Sequence, residues 1–150
     1  MDIEGIKEKI REVALNLRRE EILAVGLFGS LARGDFDERS DIDIFVITQK
    51  ELTLREQDEL YFNFSESLSN FKRDITVLTY DINSLNKVPS WQTLNLLKDA
   101  HFVFDKGSLK EIFGMILKEA EKCGIVYDNE EKVFKLKRPG RTIFSLGEAR

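Results

Sequence analysis

Residues 21–48 read EILAVGLFGSLARGDFDERSDIDIFVIT, and the two apolar runs inside this stretch decide how the chain is built. Glu21 to Phe28 is short and almost continuously apolar, as expected of a strand buried on both faces. Gly29-Ser30 ends it. Leu31 to Gly34 suits a brief helical turn, Asp35 to Ser40 a polar surface loop, and Asp41 to Thr48 a second strand. A glycine after a buried strand lets the backbone turn and approach a ligand closely, so its amide and those that follow can point at phosphate oxygens. Ser30 adds a hydroxyl donor. Asp41 and Asp43 project to one face of the second strand, because side chains alternate with period two. Two carboxylates in one site repel unless a divalent cation sits between them, and all-oxygen ligation points to Mg2+ or Mn2+.

The flanking sequence alternates between helical and strand periods. Ile3, Ile6, Ile10, Val13, Ala14 and Leu17 recur at three- and four-residue steps among Lys, Arg and Glu, which predicts an amphipathic helix over 3–19. Thr53-Leu54-Arg55-Glu56 matches a capping box opening a helix that runs on to Phe71. Asp74 to Tyr80, DITVLTY, is rich in β-branched residues and reads as a strand. Pro89-Ser90 opens a helix to about Asp99, and His101 to Phe104 adds a short strand. Ser108 to Glu111 is a second capping box, before a helix that ends at Gly124. Asn129 to Glu131 and Pro139-Gly140 are turn signals that permit a hairpin around Val133 to Leu136.

Two carboxylates are one short of a two-metal site. Asp74, at the start of the next strand, is the best third ligand if that strand neighbours the Asp41–Asp43 strand with their starts together; Asp81 is the runner-up.

Composition narrows the classes. One ordinary domain fits 150 residues with 42% hydrophobic and 33% charged, and no apolar run reaches the roughly 20 residues of a membrane span. With no signal-peptide pattern at the N-terminus, the expectation is a cytoplasmic protein. One cysteine, Cys123, and one histidine, His101, cannot make an internal disulfide or a zinc set. The net charge of −4 weighs against a grip on long nucleic acid. Lys132, Lys135, Lys137, Arg138 and Arg141 run against that balance, as a guarded strand edge or a docking patch.

GSLARGDFDERSDIDIFV, residues 29–46, resembles the signature of the DNA polymerase β-like nucleotidyltransferase superfamily, especially its minimal, MNT-type branch. Gly29, Ser30, Ala32, Arg33, Gly34, Ser40, Asp41 and Asp43 occupy motif positions, and Asp74 matches the third acidic residue. The resemblance implies an α/β (α+β) fold, a mixed β-sheet flanked by helices, over residues 1–123, with 124–150 as a C-terminal extension. It also implies ATP or another nucleoside triphosphate as substrate, two Mg2+ or Mn2+ ions held by Asp41, Asp43 and Asp74, and phosphates held by Gly29, Ser30, Arg33 and Ser40. For Arg33, a salt bridge to Asp35 or Asp37 is the alternative. The expected reaction moves AMP to a hydroxyl of a partner protein, with a helical HEPN-type toxin as that partner. A small-molecule nucleotidyltransferase, such as one acting on aminoglycosides, and a non-catalytic binding module are the competing readings. The last helix leaves a homodimer or a mixed complex open.

Overall fold

The computed structural model describes residues 2–17, 19–85, 91–131 and 133–136. Helix α1 (Ile3–Leu17) buries Ile6, Ile10, Val13 and Ala14, the stripe its apolar spacing predicts. Strand β1 (Ile22–Phe28) leads into the short helix α2 (Gly29–Arg33), and a loop connects α2 to β2 (Ile42–Thr48). Helix α3 (Leu54–Ser67) and a 3-10 turn (Ser69–Phe71) bridge β2 to β3 (Ile75–Asp81). Then come α4 (Ile82–Leu85), α5 (Trp91–Asp99), β4 (His101–Asp105), α6 (Leu109–Lys122), and the strands β5 (Ile125–Asp128) and β6 (Val133–Leu136).

The four main strands lie in the order β3-β2-β1-β4, with β5 and β6 forming a separate antiparallel hairpin. Strand β1 is antiparallel to both of its neighbours, whereas β2 and β3 are parallel. A parallel pair needs a long crossover, and α3 supplies it. The C-terminal end of β1 therefore lies at the same end of the sheet as the N-terminal ends of β2, β3 and β4.

Pleating sorts β2 into two cores. Ile42, Ile44 and Val46 pack with α1 and α3, while Phe45 and Ile47 face α5 and α6. Phe45 forms an aromatic cluster with Phe102 and Phe113, at centroid distances of 5.2 and 5.8 Å. The hairpin joins this second core through buried Ile125 and half-buried Phe134.

The first capping box forms as read: Thr53 Oγ1 accepts from the Glu56 amide at 3.1 Å, and Glu56 Oε1 accepts from the Thr53 amide at 3.0 Å. The second does not. Ser108 is left-handed, at φ 56°, and its hydroxyl caps nothing. Asp105 replaces it, its carboxylate accepting from the amides of Leu109 at 2.8 Å and Lys110 at 3.1 Å. An N-cap side chain reaches those amides from extended backbone, which Ser108 lacks, and a carboxylate also complements the helix dipole.

The Pro89-Ser90 opening of α5, the Pro139-Gly140 turn and four of the five basic-segment charges fall outside the described residues. The fifth, Lys135, pairs within the hairpin with Asp128 at 3.0 Å and Glu131 at 2.9 Å. Cys123 is exposed. Among the described residues no helix is long and apolar enough to cross a membrane.

Because Phe45 is fully buried at the centre of the ring cluster, Phe45→Ala should lower the free energy of unfolding by about 3–5 kcal/mol, read from the shift of the urea midpoint.

Candidate active site

The backbone pairs Phe28 with Asp43, so the chain turns from β1 into α2 directly beside the first acidic residues. Phe28 occupies the N-cap position without a side-chain hydrogen bond, which leaves the first amides of α2 for solvent or a ligand. Gly29 is required twice over at this turn. Its φ of +74° lies in the left-handed region, and a Cβ there would collide with a carboxylate oxygen of Asp43. The Ser30 carbonyl accepts from the Gly34 amide at 2.9 Å, closing the short helix, while the Ser30 hydroxyl has no hydrogen-bond partner among the described residues.

The β2–β3 pairing settles where the aspartates lie. Asp43 sits opposite Thr76 in parallel register, and the Ile42 amide donates to the Asp74 carbonyl at 2.8 Å. Asp41 and Asp74 each stand one residue ahead of their strands, with Asp41 on the side of Asp43 and Asp74 on the side of Thr76 by alternation. Burial raises the proton affinity of Asp43 above the ordinary carboxylate range, and the charge of Asp41 raises it further. A hydrogen bond from Thr76 and the positive charge of Arg33 work in the opposite direction.

Asp74 forms no ion pair with its sequence neighbours. Arg73 instead donates through Nη1 to the carbonyls of Asp37 at 2.8 Å and Ser40 at 2.7 Å. Among the described residues, no three His, Cys, Asp or Glu side chains are gathered into a ready-made cation cage. Asp81 pairs with Thr48 at the opposite end of β3, roughly 20 Å along the strand from Asp74 at 3.3 Å per residue. There it accepts from the Ser84 hydroxyl at 2.5 Å and the Ser84 amide at 3.3 Å.

Arg33 is tied to Asp35, one of its two anticipated partners, and to Asp99, a partner that no local spacing announces. Its Nε lies 3.2 Å from both Asp35 oxygens, and its Nη1 donates to Asp99 Oδ2 at 2.8 Å. Burial opposes the guanidinium charge, but the bonds to Asp99 and Asp35 outweigh it and hold the group above its ordinary range. Ser40 is used inside the loop: its hydroxyl accepts from the Asp37 amide at 2.9 Å.

For stability, the raised Asp43 value has a definite sign. The folded state holds that proton more tightly than the unfolded chain, so folding loses stability as pH climbs through the window between the two values. At neutral pH the full penalty is present, and Asp43→Asn should raise the thermal midpoint of the metal-free protein by a few degrees, about 2–4 °C for each kcal/mol relieved. The gap between variant and wild type should close as pH falls below the ordinary aspartate range.

Comparison with known proteins agrees with this architecture. A family model described as "Polymerase beta, Nucleotidyltransferase" matches residues 8–108. The chain is 40% identical over 58 residues to "Putative protein adenylyltransferase MJ0141" of Methanocaldococcus jannaschii, a stretch that covers 39% of this chain and 58% of that protein. A crystal structure of a toxin–antitoxin complex with AMP-PNP contains a chain of the same fold, at TM-score 0.56 and 20% identity, covering 77% of this chain and 86% of that one. Another is a complex of the tri-AMPylated Shewanella oneidensis HEPN toxin with an MNT antitoxin, at TM-score 0.54 and 18% identity, covering 80% and 87%. With the family model spanning the helix α1 to β4 unit that carries the glycine turn and the acidic strands, the chain belongs to the polymerase β-type nucleotidyltransferase family.

Proposed function

We propose that this chain transfers AMP from ATP to a hydroxyl of a partner protein and that the partner is a helical HEPN-type toxin, which makes this chain its antitoxin. The observation that carries the transfer chemistry is the pair Asp41 and Asp43 on one strand face, with Asp43 packed against the Gly29 turn and disfavoured in its charged form by burial and by Asp41. The name of the M. jannaschii relative supports the choice of AMP and of a protein acceptor. The HEPN partner rests on the fold neighbours, two of which carry AMP-PNP or an AMPylated HEPN toxin.

The donor set fits a hard divalent cation. Asp41 and Asp43 offer carboxylate oxygens only, and the burial of Asp43 together with the charge of Asp41 beside it is the penalty such an ion would offset. Asp41, Asp43 and Asp74 would hold Mg2+ or Mn2+, which when bound supplies charge neutralisation at the entering and leaving oxygens. The amides of α2 and the Ser30 hydroxyl hold the terminal phosphates. Arg33, anchored by Asp99, can exchange Asp35 for a phosphate oxygen. The acceptor oxygen forms its bond to the α-phosphorus as the bond to the bridging oxygen breaks, and pyrophosphate leaves with the electron pair. Asp74, whose carboxylate is unpaired among the described residues, takes the acceptor proton. The chain contributes position and charge rather than a covalent intermediate.

Labelled ATP, Mg2+ and the partner protein test this directly. Wild type and Asp81→Asn should release pyrophosphate and label the partner, whereas Asp43→Asn and Asp74→Asn should fall to background. A wild-type chain that binds the partner in Mg2+ without transferring label is a binding module and not an enzyme. Mg2+ should also raise the thermal midpoint of wild type but not of Asp43→Asn.

A further inference from the structure

Strand β3 is an outer strand of the sheet, with β2 on one side and no strand on the other among the described residues. The Ile42 amide donates to the Asp74 carbonyl, and Ile42 and Ile75 are register partners. Alternation along a parallel ladder then turns the backbone groups of Thr76, Leu78 and Tyr80 toward β2 and those of Ile75, Val77 and Thr79 outward. None of the outward groups has a hydrogen-bond partner among the described residues.

Proteins block such edges with charges, prolines, bulges or very short strands. From Ile75 to Tyr80, ITVLTY, β3 has none of these: the run is uncharged, and its pairing with β2 proceeds without a register shift. The other outer strand is guarded. β4 is five residues long, begins and ends on exposed His101 and Asp105, and meets β1 with a break in register between Val25 and Gly26. Half-buried apolar side chains line both faces of the open β3 edge, Ile75 and Val77 in the core of α1 and α3, Leu78 and Tyr80 in the core of α5 and α6. An uncharged, extended segment suits it, with its main chain bonded to the outward groups and its alternate side chains beside apolar neighbours.

The order of the strands selects the occupant. In the proposed reaction the terminal phosphates lie at α2, after β1, the acidic pair stands on β2, and exposed Asp74 heads β3. In-line displacement places the entering oxygen across the α-phosphorus from the leaving pyrophosphate, so the acceptor hydroxyl arrives from the β3 side. We propose that the β3 edge docks the acceptor: the partner protein offers an extended, uncharged segment outside its helices, which pairs with Ile75, Val77 and Thr79 and brings its hydroxyl residue opposite Asp74. The inference rests on the transfer reading and adds to it how the acceptor is recognised, by main-chain pairing. Directly opposed residues of neighbouring strands share a face, so a hydroxyl residue opposite Asp74 points to the face that Asp41 and Asp43 occupy.

Amide hydrogen exchange of the isotope-labelled full chain, followed by NMR with and without the partner protein in Mg2+ and a non-hydrolysable ATP analogue, tests the assignment residue by residue. The Ile75, Val77 and Thr79 amides should slow by about tenfold or more when the partner binds, while those of Thr76 and Leu78, already bonded to β2, change little. Val77→Pro removes an outward N–H and no ladder bond, so it should cut transfer of label to the partner by about three- to tenfold, the loss of one backbone hydrogen bond, with ATP-analogue affinity kept. If Val77→Pro also loses the ATP analogue it is misfolded, and the exchange pattern of wild type decides. A wild type that labels the partner with no slowing at Ile75, Val77 and Thr79 overturns the edge assignment while the transfer chemistry stands. Slowing that appears in the chain alone and grows with its concentration assigns the edge to a second copy and overturns the acceptor dock. A wild type that never labels the partner overturns the transfer reading beneath it.

Discussion

The approach of the Asp43 carboxylate to the backbone of Gly29 is the contact on which the rest of the site depends. It exists because β1 and β2 pair Phe28 with Asp43, and because position 29 has no side chain to stand in the way. The uncapped first amides of α2 and a half-buried carboxylate are thereby brought side by side, two groups of opposite charge preference. Burial makes the arrangement costly for the protein alone, since Asp43 sits half out of water beside Asp41.

That cost is contained by rigid surroundings. Fully buried Ile42 separates the acidic pair and fully buried Ile44, Phe45, Val46 and Ile47 follow it along β2, with an α-helical layer against each face. Packed strands on both sides of Asp43 keep it from relaxing toward solvent, and Thr76 gives it a hydrogen bond from β3. The same geometry explains why Arg33 matters before any ligand arrives. Its tie to Asp99 joins α2 to α5, and with the bond to Asp35 it braces the glycine turn against the second core.

Features encoded within a few residues of sequence were legible. The amphipathic stripe of α1, the buried strands on either side of Gly29-Ser30 and the Thr53 capping box each depend on local spacing alone. The shared face of Asp41 and Asp43 follows from strand alternation in the same way. Placing Asp74 at the same sheet end as Asp41 needed one further fact, the parallel neighbouring of β2 and β3, which lay outside local spacing. What could not be read depended on distant contacts or on competition between equals. Asp99 meets Arg33 across 66 positions, with no periodicity to announce it. Asp105 and Ser108 were both chemically fit to cap α6, and only the left-handed backbone at Ser108 decides between them. The turn at Asn129 was visible, but its place beside α2 depends on how the hairpin packs on α5 and α6.

The mixed sheet also orders the assembly of the molecule in time. Joining β1 to β2 closes only the stretch from Gly29 to Asp41, whereas setting β3 beside β2 must wait for the helical crossover from Gln49 to Asp74. The shorter closure carries the smaller entropic barrier. Loop closure alone thus favours joining the glycine bend to its two neighbouring acids over joining either to Asp74, by about 0.6 kcal/mol for each doubling of loop length.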